Sequence, residues 1–110
     1  MAVTESDSGT QAATINTEHS LASDSVAGVY MLAVDTVNMA NGDVLELRVK
    51  TKVLTSGTAR LAYLATYAHV QADPIKYSIP VPIQEDGGIS ATLKQTAGTG
   101  RNFDWSLLRM

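Results

Sequence analysis

The segment that most constrains the fold runs from Asp43 to Lys52, where apolar and charged side chains alternate with a period of two. One side carries Leu45, Leu47, Val49 and Thr51, and the other carries Glu46, Arg48, Lys50 and Lys52. Only an extended chain places successive residues on opposite faces. The segment therefore predicts a β-strand with one face on a core and the other in water.

The next strand, predicted over residues 59–67 after a turn at 55–58, is apolar on both faces. Leu61, Tyr63, Ala65 and Tyr67 alternate with Ala62, Leu64 and Thr66 rather than with charges. A strand of this kind is either central in a packed sandwich or faces a partner chain.

Four further segments have strand character: residues 26–36, 75–83, 89–94 and 103–109. Short strands at intervals of eight to twelve residues, with no convincing helix, are typical of a sandwich, jelly roll or barrel. We expect an all-β fold, a single-domain antiparallel β-sandwich or jelly roll of about seven to eight strands. Segment 75–83 carries Pro80 and Pro82, which cannot donate to a ladder, so we expect it at a sheet edge.

Residues 1–25 differ from the rest because Thr, Ser, Ala, Asp and Glu dominate, with one short apolar patch at 12–15. We expect an extended N-terminal arm over 1–25 and the β domain over 26–110. A polar arm of that length does not order itself, so it would contact a neighbouring chain or add as a strand to a sheet edge.

The composition narrows the function classes. The chain has no cysteine, so disulfides and thiolate metal sites are excluded, and its net charge of −3 argues against a nucleic-acid partner. No apolar run approaches the roughly 18 residues of a membrane helix, and the acidic start does not resemble a secretory signal, so we expect synthesis in the cytoplasm and no membrane partner.

The first 47 residues carry seven acids and no Lys or Arg, whereas the remainder carries eight bases and four acids. Such halves could let the front of one copy meet the back of another, or let the tail fold over its own body. Chance with pairing inside the chain is the simpler interpretation.

No stretch of the chain carries a catalytic signature, and we expect no enzymatic activity and no cofactor. His19 and His69 could share a metal with Asp73, but two histidines without fixed spacing are a background count. The loop at 96–102 has two glycines beside Arg101 yet lacks the pattern of a phosphate loop, which favours a plain turn.

Five blocks, mainly in the second half of the chain, are similar in sequence to a known group of proteins. They are residues 42–48, 58–63 together with Tyr67, 71–76, 92–101 and 105–109. These blocks resemble small structural proteins of tailed bacteriophages, and the resemblance covers roughly residues 27–110. It implies a β-sandwich or jelly-roll virion component, most plausibly a decoration (cement) protein on the outer capsid surface. Its partners would be further copies of itself, as a trimer at threefold positions, and the major capsid protein.

On this reading the predicted edge strand 75–83 and the strand 59–67 bury against sister subunits, and the arm lies on the capsid protein. The candidate subunit-interface residues are Leu64, Thr66, Ile79, Pro80, Val81 and Pro82. The candidate capsid-contact residues of the arm are Thr4, Glu5, Ala12 and Ile15. Two alternatives remain: a neck or tail component of the particle, and a carbohydrate-binding jelly roll that stacks a sugar on Tyr63, Tyr67 and Trp105.

Overall fold

The computed structural model describes residues 2–110, and every regular element in that range is a β-strand. The strands are β1 (Thr4–Ala12), β2 (Glu18–Asp24), β3 (Gly28–Asp35), β4 (Val44–Thr51), β5 (Arg60–Ala68), β6 (Ile75–Tyr77), β7 (Val81–Ile83), β8 (Ile89–Ala97) and β9 (Asn102–Arg109). The predicted all-β class is confirmed.

The strands form two antiparallel sheets. In sheet I the order is β1-β9-β3, with β6 and β7 both paired to the far side of β3, and in sheet II it is β2-β8-β4-β5. Strand β1 thus pairs with β9, β2 with β8, β3 with β6 and β7, and β4 with β5. Successive pairs alternate between the sheets, which is the nested double Greek key of a jelly roll. The predicted sandwich is therefore confirmed, and its strand order is that of the jelly roll.

The core lies between the two sheets and is built from alternate residues of the inner strands. Its fully buried side chains include Tyr30 and Leu32 of β3, Leu45 and Leu47 of β4, and Phe103 of β9. The alternation of β4 is confirmed, because its leucines are buried while its charged residues lie on the outer face.

The sequence predicts an arm over 1–25 that is separate from a domain over 26–110. The structure does not have this separation. Thr4, Glu5 and Ala12 lie in β1 and pair with β9, while Ile15 is half-buried in the turn that leads to β2. Strand β2 in turn pairs with β8. Residues 4–24 are therefore two strands of the sandwich, and the backbone ladder that orders them needs no apolar pattern. Met1, also assigned to the arm, lies outside the described residues.

One glycine helps β1 fit beside β9. Gly9 is directly opposite Trp105, and a Cβ atom at Gly9 would lie 3.3 Å from the indole ring. The missing side chain lets the indole lean over β1 and cover the core at this edge.

Strand β5 is an edge strand, so the alternative that placed it at the centre of a sheet is wrong. It pairs only with β4, and a β-bulge interrupts the register between Val49 and Lys50. Beyond the bulge Leu61 lies opposite Lys50, on the outer face, rather than on the inner face with Tyr63 as strict alternation would require. Leu61 and Leu64 therefore both point outward.

The prediction of a proline-bearing edge over 75–83 is confirmed in position, but the segment is two short strands rather than one. Between β6 and β7, the Ser78 hydroxyl accepts a hydrogen bond from the Leu32 N–H at 2.9 Å, and the Ser78 N–H donates to the Leu32 carbonyl at 2.8 Å. This side-chain contact keeps the Leu32 amide satisfied where Pro80 ends the regular ladder.

We expect deletion of residues 1–16, which removes β1 and the turn after it, to destabilise the whole domain. The deletion exposes the edge of β9 and uncovers Trp105. The urea midpoint of unfolding should fall well below that of the full chain. Deletion of residues 1–3 alone, which leaves β1 intact, is the control; equal midpoints for both deletions would contradict the role assigned to β1.

Candidate interaction surfaces

The two histidines do not form a metal site with Asp73. His19 lies on β2 and His69 just after β5, at opposite edges of sheet II. Each imidazole already accepts a backbone hydrogen bond: Nε2 of His19 from Thr14 N–H at 3.0 Å, and Nδ1 of His69 from Gly42 N–H at 2.9 Å. Across residues 2–110 no group of three or more His, Asp or Glu side chains is placed to hold a metal ion.

The glycine-rich loop at 96–102 surrounds a carboxylate of this chain. Asp43, 1% exposed, accepts hydrogen bonds from Arg101 Nε at 2.8 Å, Ala40 N–H at 2.9 Å and Thr99 N–H at 3.2 Å. The positions that could cradle an external anion are therefore used internally. Gly98 packs against the same residue, because a Cβ there would lie 2.8 Å from Asp43 Cα. The loop is a structural junction, in agreement with the turn that its sequence favours.

Burial alone would raise the pKa of Asp43, but the hydrogen bonds from Arg101, Ala40 and Thr99 outweigh it and hold the pKa below its ordinary value. The carboxylate is thus stabilised in its charged form. The junction ties the turn before β4 to the loop between β8 and β9, and so joins the two sheets at one end.

The three aromatic residues proposed to stack a sugar do not form a platform. Tyr63 and Tyr67 lie on the inner face of β5 at one edge of sheet II, whereas Trp105 lies on β9 in sheet I. All three pack against the core. Burial and the neighbouring Tyr63 raise the pKa of Tyr67 to about 12, and Lys76 Nζ lies 5.0 Å from the centre of its ring.

The open side of the sandwich, where β5 of sheet II adjoins β6 and β7 of sheet I, carries exposed apolar side chains. We call this surface the apolar edge; it consists of Leu61, Leu64, Ile75, Tyr77 and Ile79, each about half-exposed. Within it, Leu61 and Leu64 lie on the outer side of sheet II, and Ile75 and Tyr77 lie on the outer side of sheet I. Large apolar groups gathered along one edge are typical of a surface that contacts another protein.

Five of the six candidate interface residues have exposed side chains. Leu64 and Ile79 belong to the apolar edge, and Thr66, Pro80 and Pro82 lie outside it. Val81 is buried, because it is 4% exposed and belongs to the core. Its assignment to an interface is wrong: β7 alternates, so the residue between two exposed prolines faces inward.

The two outer faces of the sandwich differ in charge. The outer face of sheet I carries Glu5, Asp35 and Asp104, while all eight Lys and Arg residues lie elsewhere. The outer face of sheet II carries a network in which Glu18 contacts Arg48 at 3.2 Å and Lys50 at 3.1 Å. The Thr92 hydroxyl and Lys50 together lower the pKa of Glu18. The outer face of sheet I is therefore acidic, whereas that of sheet II carries both signs of charge.

Comparison with known proteins finds no matching family model, no matching curated protein and no matching solved structure. Residues 2–110 contain no helix of the length and hydropathy that a membrane crossing requires.

We expect Asp43→Asn to lower the free energy of unfolding at pH 7 by about 2–3 kcal/mol, because it removes a buried charge-assisted contact with Arg101. The folded-state pKa of Asp43 is depressed, so its contribution is present above about pH 4 and is lost as the pH falls further. The difference between wild type and variant in urea unfolding should therefore shrink from pH 7 to pH 2.5. The control is Asp73→Asn, an exposed loop carboxylate whose loss should change little at either pH; a pH-independent Asp43→Asn penalty would contradict the assignment.

Proposed function

We propose that this chain is a non-enzymatic structural subunit of a tailed-phage particle that decorates and stabilises the capsid shell, and that copies of it associate through the apolar edge. The single observation that carries the proposal is the state of β5. This edge strand has nine residues, no proline, and no charged residue after Arg60. Its outward side chains include Leu64, which is 49% exposed.

Edge strands of monomeric proteins are normally protected against pairing by charges, prolines, bulges or short length. The other edges of this sandwich carry such devices. β1 has Glu5 and Asp7 with an irregular register between them. β2 has an acid at each end, Glu18 and Asp24, and a register shift between Ser20 and Ala22. β6 and β7 are three residues long with prolines beside or within them. The bulge in β5 turns Leu61 outward and so adds apolar surface instead of reducing it. An edge left unprotected in this way supports a role in assembly.

The proposal that this assembly is a tailed-phage capsid rests on the resemblance of residues 27–110 to small phage structural proteins. The jelly roll by itself does not choose a function, since sugar-binding and enzymatic domains share it. Among the alternatives, a sugar-binding role loses its support because the three aromatic side chains pack against the core. A threefold decoration site would use the apolar edge three times, with attachment to the capsid protein as a property of the folded sandwich rather than of a separable arm.

We expect the purified protein to have a solution mass above that of a single 11.7 kDa chain. Leu64→Lys should shift it towards the monomer, because a charge on the apolar edge would be buried without a partner. The measurement is light scattering after size exclusion, over a range of concentrations. Val26→Lys, a similarly exposed valine in the turn between β2 and β3, is the matched control and should leave the mass unchanged.

We expect the protein to bind purified capsids that lack it, in hundreds of copies per particle, and to increase their resistance to heat. Quantitative gel analysis of sedimented particles would give the copy number. About a dozen copies or fewer would place the protein at the neck or tail instead, and no sedimentation with capsids would overturn the proposal. Leu64→Lys should bind less at equal concentration if association on the shell is cooperative.

A further inference from the structure

The hairpin that joins β4 and β5 ends in an exposed apolar tip, which we define as residues 52–60. Val53 is 88% exposed and Leu54 is 66% exposed, the first being the most exposed large apolar side chain in the described chain. Lys52 and Arg60 flank them, and no acidic residue lies in the tip.

The tip is held in place by hydrogen bonds although its apolar side chains are mostly exposed. Gly57 N–H donates to the Leu54 carbonyl at 2.8 Å, and Gln84 Nε2 donates to the Val53 carbonyl at 2.8 Å. The second bond fastens the tip to the connection between β7 and β8. The tip thus presents two large apolar side chains between two cations on an ordered hairpin. Exposed apolar groups held in this way are typical of a surface that binds a partner.

A depression of matching character lies on the outer face of sheet I. Its floor is a row of three small side chains on adjacent strands, Ser8 of β1, Ser106 of β9 and Ala33 of β3. Larger residues border the row on both sides. Glu5 borders it on one side, in register with Leu108 and Met31 of the neighbouring strands, and Thr10, Asp104, Asp35 and Ile75 border it on the other. We call this depression the trough; its volume is about 460 Å³.

The dimensions of the trough suit a hairpin end. Border rows four residues apart along a strand are separated by about 13 Å, whereas the two strands of a hairpin lie about 5 Å apart. The charges are complementary, since the trough presents three carboxylates without a cation and the tip presents two cations without a carboxylate. Apolar surface is available to both, from Ile75 in the trough border and from Val53 in the tip.

We propose that the trough binds the β4–β5 tip of a second copy of this chain. The contact must be between copies, because the tip extends from sheet II while the trough faces away from that sheet. It rests on the proposed function, in that it names a contact by which the copies would assemble. Tip and trough are different surfaces, so the contact is head-to-tail and closes into a ring when the rotation between copies permits.

The absence of cysteine from the chain allows a direct test. One full-length variant carries Val53→Cys, a second carries Ser106→Cys, and the two are mixed with a short bismaleimide cross-linker. We expect the mixed dimer to form in severalfold excess over the dimer of Val53→Cys with itself. Val26→Cys mixed with Ser106→Cys is the control for random collision. A yield equal to that control overturns the tip–trough contact.

A charge exchange supplies an independent measurement that does not depend on the cross-linker. Lys52→Glu combined with Arg60→Glu should weaken association severalfold, as should Glu5→Lys combined with Asp104→Lys. Mixing the two altered chains should restore it, because the reversed charges again meet their opposites. Failure of the mixture to restore association overturns the contact.

The outcomes also separate this contact from the proposed function. If Leu64→Lys reduces association and capsid binding while the tip and trough variants do not, the tip contact is wrong and the proposed assembly stands. If the mixed cross-link forms but the protein does not bind capsids, the contact stands and the capsid role is wrong. Binding of the tip to anionic phospholipid vesicles, with no mixed cross-link, would overturn the contact in favour of a membrane surface.

Discussion

The last two strands of the chain, β8 and β9, hold both sheets together because each is inserted between two earlier strands. β9 pairs with β1 on one side and β3 on the other, and β8 likewise pairs with β2 and β4. Without them each sheet would separate into unconnected strands or hairpins. Because these partners are far apart in sequence, the loop entropy of their pairing is paid before the core can close. The junction of Asp43 with Arg101 adds a charge-assisted contact where the β8–β9 loop meets the turn before β4.

The features that could be predicted from the sequence are those in which burial produces a regular alternation of apolar and polar residues. β4 alternates leucine with charge because one face lies on the core, and its boundaries were recognisable to within about a residue. β1 and β2 were expected only in general form, as an arm that could add to a sheet edge as a strand. Their bounds and partners could not be predicted, because their order comes mainly from the backbone ladder, which leaves no period in residues such as Thr4, Ser8 and Thr10. The bulge in β5 and the break at Ser78 were equally invisible, since each depends on a neighbouring strand that the sequence does not name.

The interaction surfaces show the same division. The apolar character of Leu61, Leu64 and Ile79 was readable, but whether it faced a core or a partner depended on whether β5 was central or at an edge. The prolines of segment 75–83 indicate an exposed surface, but Val81 faces the core because alternate residues of a strand face opposite ways. The trough could not be anticipated, because Ser8, Ala33 and Ser106 become neighbours only through the β1-β9-β3 order.

The protection of the sheet edges connects the fold with assembly. This jelly roll leaves β1, β2, β5, β6 and β7 at sheet edges, and each can recruit another chain unless something prevents it. Acids at both ends and a register shift protect β2. Here charge and an irregular register guard β1, and prolines and short length guard β6 and β7, whereas β5 is guarded by neither charge nor proline. An unprotected edge is a liability at high concentration, and in the proposed assembly another copy of the chain would cover it. Three acids on one outer face and a basic tip beside β5 restrict which approach is favourable, because like faces repel. In the proposed assembly, charge would select the orientation of association and the apolar edge would supply the buried area.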